Sequence, residues 1–432
     1  MENQIGRVTA SLESVIGQHG IYTARRSEYT TDGKIPFRVA STPFQLTVEQ
    51  RGEINAIGAD VTSYFRAIDE LYRSDGTVKN ILNTGKPEIF IVDRPIQYLF
   101  VRPDLIITPK GFSLCEIETS PFGLALAEML NRAYQQEGFE TIVANGMLPA
   151  HIQAHTPAEG TIIYSQKTGP YVGQLTFLAD EVFSGEGRTW ETRRVEDVVR
   201  GGQRIQGSGI YRGVYLGEYM NDPAVKMLLD QATKNSGDLL PSPTPHMEEK
   251  AILAFLWDRR FEQRLKKRLG DAAFNHLRAI IPPTWIVGQE PFFALGMPDG
   301  VATSVDLASL SRSKRALVLK ESGFGARSSW GEGVKFLHKK SANTARELLQ
   351  EAQESTKSLF VVQQFNKAQD TPITYEARDG TIQLAPAARI RLTPYFSMAD
   401  DDMGRLVGVK VTGCENTDLI HGSSSSINTA VR

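Results

Sequence analysis

The segment YLFVRPDLIITPKGFSLCEIETSPFG, residues 98–123, carries one basic and three acidic side chains in an alternating pattern: Arg102, Asp104, Glu116 and Glu118. Three carboxylates that are held close together repel one another unless a cation neutralises them. Hard oxygen ligands of this kind, few in number and supplemented by substrate phosphates, are the ligands that Mg²⁺ uses. The segment therefore predicts a magnesium site with an arginine beside it.

A β-hairpin would bring these four side chains together. Two short apolar runs flank residues 108–111, and a three-residue loop at 109–111 that ends in an αL glycine would join them. In that register Asp104 lies opposite Glu116, and Arg102 lies opposite Glu118. Directly opposed side chains of antiparallel strands share one face of the sheet, so the four charges would form a single patch.

The neighbouring residues of the second strand indicate how deep this patch lies. Counting in steps of two places Leu114 on the same face as Glu116, so the carboxylates would lie at the mouth of a mostly buried sheet. Cys115 would point to the opposite face as a packing residue. A solvated sheet face with a surface ladder of arginine and glutamate fits the same spacing.

Composition is that of an ordinary globular protein. The 432 residues leave room for two or three domains of roughly 100–200 residues each, and 41% of them are hydrophobic and 23% charged. A net charge of −2 offers no basic surface for nucleic acid. Two cysteines cannot build a disulfide framework, which suits a reducing cytoplasm. We find neither a secretory signal nor a membrane-spanning run in the sequence, so we expect no membrane partner.

Hydrophobic periodicity predicts the elements that hold the hairpin. Apolar residues at helical spacing predict helices at 48–73, 124–136, 247–268 and 344–353. Strand-like runs are predicted at 140–144, 160–164, 175–178, 209–217, 316–320 and 358–365, and their alternation within 139–200 indicates a small α/β unit. The glycine-rich segment 201–209 is predicted to be a mobile loop, and the serine-rich tail from residue 421 is predicted to be disordered at its end.

Basic residues next to glycines form a second group with possible chemistry. Lys320 ends an apolar strand and precedes a loop with glycines at 323, 325, 331 and 333, which is typical of a phosphate cradle. Lys250 begins a predicted helix, where its charge opposes the helix dipole and would suit a bound anion. Arg389 and Arg391 alternate on one strand and would present two guanidinium groups on one face. A flexible turn, a solvated helix start and a surface ion-pair ladder are the plainer interpretations of these three features.

Together these segments resemble the ATP-grasp superfamily in its circularly permuted order, and are similar to the synthetase domain of glutathionylspermidine synthase and other permuted carboxylate–amine ligases. The matching segments are RPDLIITPKGFSLCEIETSPFG, EEKAILAFLWDRRF, IIPPTWIV, ALVLKESGFGARSSWGEGV and FVVQQF. The carboxylates precede the lysines here, whereas the usual order is the reverse. The resemblance implies an α+β / α/β fold class, namely a permuted ATP-grasp fold with a small α/β pre-ATP-grasp-like domain.

The resemblance also implies three domains and a role for each site residue. The domains are 1–138 with the carboxylate hairpin, 139–245 as a small substrate-side α/β domain, and 246–432 as the nucleotide-binding part. Asp104, Glu116 and Glu118 would hold Mg²⁺, and Arg102 would bind the reacting carboxylate or its acyl phosphate. The implied ATP contacts are Lys250 and Lys320 at the phosphates, Ser322, Gly323, Gly325 and Gly331 in a closing loop, and Gln363, Gln364 and Phe365 at the adenine hinge. Either Arg391 or Arg389 would lie near the γ-phosphate.

The activity that the resemblance implies is an ATP-dependent ligase, which joins a carboxylate to an amine through an acyl phosphate. The chain departs from the family pattern at Glu118, where asparagine is usual, and at Gln364, where glutamate is usual. A kinase that phosphorylates a small molecule and a catalytically degenerate ATP-grasp-like binding protein remain alternatives. The expected partners are a small-molecule or peptide acid and an amine, and the sequence identifies neither of them, nor the oligomeric state.

Overall fold

The structure is a computed structural model, and it describes residues 7–17, 19–21, 35–91, 97–120, 122–200, 209–234, 239–289, 293–325, 327–328, 331–377, 380–422 and 424–432. Within these residues the strands are β1 Arg38–Ala40, β2 Phe100–Thr108, β3 Gly111–Glu118, β4 Glu159–Tyr164, β5 Thr189–Arg194, β6 Gly209–Gly213, β7 Leu239–Leu240, β8 Thr284–Ile286, β9 Leu317–Glu321, β10 Val334–Phe336, β11 Phe360–Gln364, β12 Asp370–Glu376, β13 Ile382–Ser397, β14 Leu406–Glu415 and β15 Ile427–Thr429.

The α-helices are α1 Arg7–Ile16, α2 Val48–Ser74, α3 Gly76–Leu82, α4 Leu124–Gln136, α5 Met147–Ala154, α6 Val172–Phe177, α7 Val195–Arg200, α8 Pro223–Lys234, α9 Glu262–Leu269, α10 Asp271–Ile280 and α11 Ala342–Glu354. Shorter 3₁₀ helices occur at Glu88–Phe90, Gly169–Tyr171, Leu216–Met220, Pro245–Glu248, Lys250–Trp257, Ser304–Ser309 and Leu337–Lys339, and a π-helical turn at Leu178–Phe183. No helix in the described ranges is long and apolar enough to cross a membrane.

The largest sheet has seven strands in the order β12-β1-β15-β14-β13-β2-β3, and the carboxylate hairpin forms one edge of it. Helix α2 begins with a capping box, in which the Thr47 side chain accepts the N–H of Gln50. Its apolar stripe, including Phe65 and Ile68, shares one core cluster with Leu105 of β2 and Leu392 of β13. This packing fixes the face of the sheet that is turned away from the site.

A second sheet of four antiparallel strands, in the order β10-β9-β11-β8, carries the predicted glycine-loop lysine. Alternate residues of these strands, such as Leu319 and Val362, pack against Leu349 of α11. Because side chains alternate across a strand, Lys320 is directed to the opposite face from Leu319. The sequence prediction of a strand near 316–320, a helix near 344–353 and a strand within 358–365 is confirmed.

A third sheet is parallel, with the order β5-β4-β6-β7, and α6, α7 and α8 pack on and around it. Its core includes Ile163, Ile210, Val195 and Leu229. Parallel strands need crossover connections, which here contain helices. The small α/β unit predicted from the alternation of residues 139–200 is therefore present, although its strands differ in part from those predicted.

The hairpin pairs Asp104 with Glu116 as predicted, but the loop length and the strand geometry that produce this pairing differ from the prediction. Thr108 pairs with Gly111, so the loop has two residues rather than three, and the register then shifts by one between Leu105 and Asp104. The extra residue is Cys115, which forms a β-bulge. Asp104 therefore opposes Glu116 as predicted.

The bulge corrects the predicted faces of two neighbours. Leu114 is fully buried in the core beside Leu105 rather than sharing a face with Glu116. Cys115 lines the same cavity as Glu116 rather than packing on the opposite face. An added residue in a strand breaks the two-residue count, which is why counting from the sequence placed both side chains wrongly.

Other predicted elements are also corrected. Residues 140–144 form no strand, and 175–178 lie in α6 and the following π-helical turn. The predicted helix 247–268 is two 3₁₀ helices followed by α9. Residues 251–256 are buried on all sides rather than along one stripe, so this apolar run carries no α-helical period. The tail is ordered, since β15 is fully buried and pairs with β14 and β1. The predicted mobile loop falls on residues 201–208, outside the described residues, and the domain boundaries stay a prediction.

Candidate active site

A cavity of about 280 Å³ lies between the seven-stranded sheet and the antiparallel four-stranded sheet. Of the fourteen predicted site residues, eleven line it: Arg102, Asp104, Glu116, Glu118, Lys250, Lys320, Gly331, Gln363, Gln364, Phe365 and Arg391. The strands explain this convergence, because β2, β3 and β13 are neighbours in one sheet and β9 and β11 are neighbours in the other. Side chains far apart in the sequence thereby face the same cavity.

Each predicted metal carboxylate is paired with a basic side chain. Glu116 Oε1 lies 2.8 Å from Lys250 Nζ, and Asp104 Oδ2 lies 3.0 Å from Arg391 Nη1. Glu118 accepts a hydrogen bond from Arg102, whose other terminal nitrogen donates to the Phe122 carbonyl at 2.9 Å. The three carboxylates thus lie on one side of the cavity, and their repulsion is offset by protein cations.

Burial and charge act in opposite directions on these groups. Burial raises the pKa of Asp104, but the positive charges of Arg391 and Arg102 outweigh burial and hold that pKa below its usual value. At Glu118 burial is the larger effect, and the pKa of this carboxyl is raised despite Arg102. Burial lowers the pKa of Lys250, yet the negative charge of Glu116 more than compensates and raises it. Asp104 and Lys250 therefore carry full charges at neutral pH.

The donor set fits Mg²⁺ in its chemistry, because it offers three carboxylates on one sheet face. Among the described residues, however, no group of three Asp, Glu, His or Cys side chains is already arranged around one point that could hold a metal ion. The carboxylates would have to exchange their basic partners for the ion. Asp104, Glu116 and Glu118 are the residues that would hold it.

Lys320 connects the two sheets. Its ammonium donates hydrogen bonds to the side-chain oxygen of Gln363 at 2.7 Å and to the carbonyl of Cys115 in the hairpin at 2.8 Å. Gln363 in turn donates to the hydroxyl of Thr284 at 2.9 Å. An ammonium has three donors, so one N–H of Lys320 has no partner among the described residues and could donate to a ligand in the cavity.

The predicted adenine hinge lies beside an aromatic cluster. The ring of Phe365 stacks on His338 with centroids 5.1 Å apart and meets Phe336 edge-on at 5.4 Å. The backbone N–H of Phe365 donates to the Ala316 carbonyl at 2.8 Å, and that of Gln364 donates to the Pro283 carbonyl, also at 2.8 Å. Both N–H groups are therefore used in hydrogen bonds within the protein. An adenine ring bound at this position would contact aromatic and apolar side chains and backbone carbonyl groups instead.

Three residues of the predicted glycine loop lie outside this cavity. Ser322 is fully buried, where its hydroxyl accepts the N–H of Ala251 at 3.0 Å and donates to Glu249. A Cβ on Gly323 would lie 2.6 Å from the Glu249 carboxyl carbon, so glycine permits close packing at this point. Gly323 and Gly325 line a separate cavity of about 350 Å³. A nucleotide role for these three residues stays a prediction that their position does not favour.

Arg389 and Arg391 both line the cavity, as their alternation on one strand predicts. Arg389 is held by Asp418 and, at 3.4 Å, by Asp370. Arg391 is directed towards Asp104, and its buried Nε atom has no hydrogen-bond partner among the described residues. Arg391 is therefore the one that contacts the predicted metal carboxylates.

Several cavity residues have no counterpart in the sequence prediction. Lys410 of β14 and Thr393 of β13 line the cavity next to Asp104. One wall is largely apolar or aromatic and comes from widely separated segments: Phe37, Phe122, Leu126, Tyr171 and Tyr215. The signal for Lys410 is a single charge in the run LVGVKVTG, where alternate valines are buried in the core. The aromatic wall has no local sequence signal, because it exists only after the sheets are assembled.

No family model and no curated protein matches the chain. Among solved structures, the chain is similar to a glutathione synthetase-like effector from Globodera pallida in its apo form. The TM-score is 0.58, the sequence identity is 9%, and the similarity covers 99% of this chain and 96% of that chain. At this identity the likeness shows the fold alone. The chain therefore shares the mixed α/β fold of that protein, and both the ATP-grasp assignment and the circular permutation stay predictions.

Proposed function

We propose that the chain is an ATP-dependent ligase that joins a carboxylate to an amine and releases ADP and phosphate. One observation carries the proposal: a glutathione synthetase-like fold whose inter-sheet cavity is lined by both charged groups that the resemblance requires, the carboxylates of β2–β3 and the lysines at 250 and 320. The reaction would proceed through phosphorylation of the acid, followed by displacement of phosphate by the amine.

The chain's own residues would mainly position the reactants and neutralise charge, as in other phosphoryl transfers. Lys320 would bind phosphate oxygens with its free N–H, and Lys250 and Arg391 would do so as the triphosphate enters beside Glu116 and Asp104. Mg²⁺ bound by the three carboxylates would neutralise charge on the phosphate oxygens.

Arg102 is suited to the acid substrate. It is buried, and its Nε atom has no hydrogen-bond partner among the described residues, although its terminal nitrogens bond to Glu118 and Phe122. Burial lowers its pKa, but the charges of Glu118 and Asp104 raise it above the usual value, so the guanidinium is always charged. It would bind the reacting carboxylate and the negative charge that develops on it.

The apolar wall of the cavity would protect the acyl phosphate from water. Phe122 packs against Tyr171 and Tyr215 with ring centroids 4.7 and 4.8 Å apart. Gly331 also lines the cavity, and a Cβ on this glycine would approach Leu419 to 3.1 Å. The aromatic rings would exclude water from their part of the cavity.

A second candidate is an ATP-grasp-like protein that binds ligands without catalysis. The observation that favours it is the neutralisation of all three carboxylates by Lys250, Arg102 and Arg391, which leaves no ready-made metal group among the described residues.

A hydroxylamine trap separates the candidates. Hydroxylamine replaces the unknown amine, so only pools of acids need to be screened with Mg²⁺ and ATP for hydroxamate and ADP. A ligase is expected to give both products in equal amounts with at least one acid pool. ADP formation that depends on an alcohol and gives no hydroxamate would indicate a kinase. Absence of ADP with every pool, despite binding of ATP, would indicate the non-catalytic candidate.

A further inference from the structure

Lys410 is a buried cation in the cavity to which the proposed reaction assigns no role. It is 7% exposed and lines the cavity, and its ammonium donates to the hydroxyl of Thr412 at 3.2 Å. Within the described ranges no carboxylate lies within 4 Å of it, whereas Lys250 and Arg391 each have one and Arg102 has two. A buried ammonium without a carboxylate partner is costly, and a negatively charged ligand in the cavity would remove that cost.

The sheet places Lys410 at a defined distance from the predicted metal carboxylates. Lys410 pairs with Thr393 across β14 and β13, and Thr393 donates a hydrogen bond to Asp104 on the next strand at 3.4 Å. Neighbouring strands are about 4.8 Å apart, so the backbone at Lys410 lies roughly 10 Å from that at Asp104. Lys410 and Asp104 therefore lie at separate positions along the cavity.

The start of helix α4 adds to the positive field at Lys410. A Cβ on Gly123, the residue that precedes α4, would approach the Lys410 Cε atom to 3.2 Å. Among the residues that the structure describes, no side chain caps this end of the helix, and Gly123 lines the cavity. The N-terminus of a helix attracts anions through its free N–H groups. Burial and the charges of Arg391 and Arg102 lower the pKa of Lys410 to about 7, and a bound anion would offset both effects.

The apolar wall lies on this side of the same cavity. Leu126 of α4, Phe122 and Phe37 line it, and the rings of Tyr171 and Tyr215 pack at a tilt against Phe122. Aliphatic carbon atoms fit such a wall, whereas a second charged group would need a partner. Lys410 would be the partner of that second charged group.

We propose that Lys410 and the N-terminus of α4 bind a second carboxylate of the acid substrate, so that the substrate is a dicarboxylic acid with an apolar segment between its two acid groups. The proposal rests on the proposed function for the reacting end, where Arg102 binds the other carboxylate. Lys410 is a specificity-determining residue in this account and takes no part in bond formation.

The test compares each diacid from succinate to suberate with its own monomethyl ester. Affinities are measured by calorimetric titration, with Mg²⁺ present, both with and without a non-hydrolysable ATP analogue. The wild-type protein is expected to bind at least one diacid tenfold or more tighter than the half-ester. This pair of ligands uses the unmodified protein, so it does not depend on how any variant folds.

Three variants test whether the preference for the diacid over its half-ester depends on Lys410. K410M removes the charge at similar size and is expected to bind diacid and half-ester equally, with half-ester affinity unchanged. K410R is expected to restore part of the preference. T412V removes the only hydrogen bond of Lys410 among the described residues but keeps the charge, and is expected to retain the preference.

The outcomes separate this proposal from the ligase proposal. Equal binding of every diacid and its half-ester by the wild-type protein overturns the role of Lys410, as does an undiminished preference in K410M or an equal loss in T412V. Failure to bind the ATP analogue would instead contradict the ligase proposal, because the diacid preference is also measured without nucleotide.

Discussion

At the scale of single residues, the cavity is defined by an excess of positive over negative side chains. Six basic residues line it, namely Arg102, Lys250, Lys320, Arg389, Arg391 and Lys410, against four acidic ones, Asp104, Glu116, Glu118 and Asp418. The excess suits polyanionic ligands. Glu116 is the most informative position, because Lys250, its one ion partner among the described residues, is itself a predicted phosphate contact.

We predict that Glu116→Gln lowers the rate of ADP formation by at least about a hundredfold, equivalent to about 2.7 kcal/mol of transition-state stabilisation. Glutamine keeps the size of the side chain but not its charge, so the cation that supports phosphoryl transfer would be held weakly. The measurement is single-turnover ADP formation, with circular dichroism to verify folding. Glu415→Gln is the control, since it disrupts an ion pair with Arg38 outside the cavity. Full activity in Glu116→Gln would rule out a metal role for this residue.

At the scale of elements, the hairpin and helix α2 set the geometry of the site. The bulge at Cys115 turns Glu116 into the cavity while Leu114 stays in the core. Helix α2 supports the far face of the sheet through a close backbone approach at Gly58, where a Cβ would lie 2.3 Å from the Gly404 carbonyl oxygen and 2.7 Å from the Phe396 ring. The position of the sheet therefore depends on a glycine.

We predict opposite effects for two glycine substitutions in this helix. Gly58→Ala should destabilise the protein by about 1–3 kcal/mol, because the methyl group forces the helix away from the sheet. Gly52→Ala, where a Cβ would meet nothing within 4 Å, should stabilise it by roughly 0.5–1 kcal/mol, because alanine loses less entropy in a helix. Compared with the wild-type protein, the midpoint of thermal unfolding should be lower in Gly58→Ala and higher in Gly52→Ala. Equal midpoints in the two variants would contradict the close packing at Gly58.

The elements also show how far sequence reasoning reaches. Helix α2 and helix α4 follow from spacing and helix-end signals, which are local. The predicted pairing of Asp104 with Glu116 is present, but a two-residue loop and a bulge produce it, and the sequence predicted neither of them. The predicted helix over 247–268 failed because an apolar run has the same appearance in a 3₁₀ helix and an α-helix once all its sides are buried. Ser322, which lies outside the cavity, and Lys410, which lines it, show a second limit of sequence reasoning. Which sheet face a loop or a lone lysine meets depends on contacts between distant strands.

At the scale of the whole molecule, a buried histidine joins the segment before Lys250 to helix α2. His246 is 2% exposed, stacks on Tyr72 with centroids 3.7 Å apart, and lies 3.3 Å from an Asp69 carboxylate oxygen. Burial lowers the pKa of His246 more than Asp69 raises it. The imidazole is therefore neutral in the folded protein at pH values where an unfolded chain, with a histidine pKa of about 6.5, begins to bind a proton.

We predict that this histidine makes stability fall on acidification. Between the lowered folded pKa and about 6.5 the unfolded chain binds more protons, so the free energy of unfolding rises with pH and falls as pH drops below about 6.5. His246→Gln should reduce the loss of stability between pH 7 and pH 5.5, measured by urea unfolding. His276→Gln, which removes a more exposed imidazole beside Asp60, is the control. An unchanged pH dependence in His246→Gln would show that the histidine does not carry this effect.

The central claim is that the cavity between the two sheets binds a nucleotide through the hairpin carboxylates and the lysines at 250 and 320. Calorimetric titration of ATP into the purified protein, with and without Mg²⁺, tests it directly. We expect micromolar binding that requires Mg²⁺ and is lost in Lys320→Met, because Lys320 links both sheets at the proposed phosphate position. Absence of ATP binding under both conditions would contradict the account.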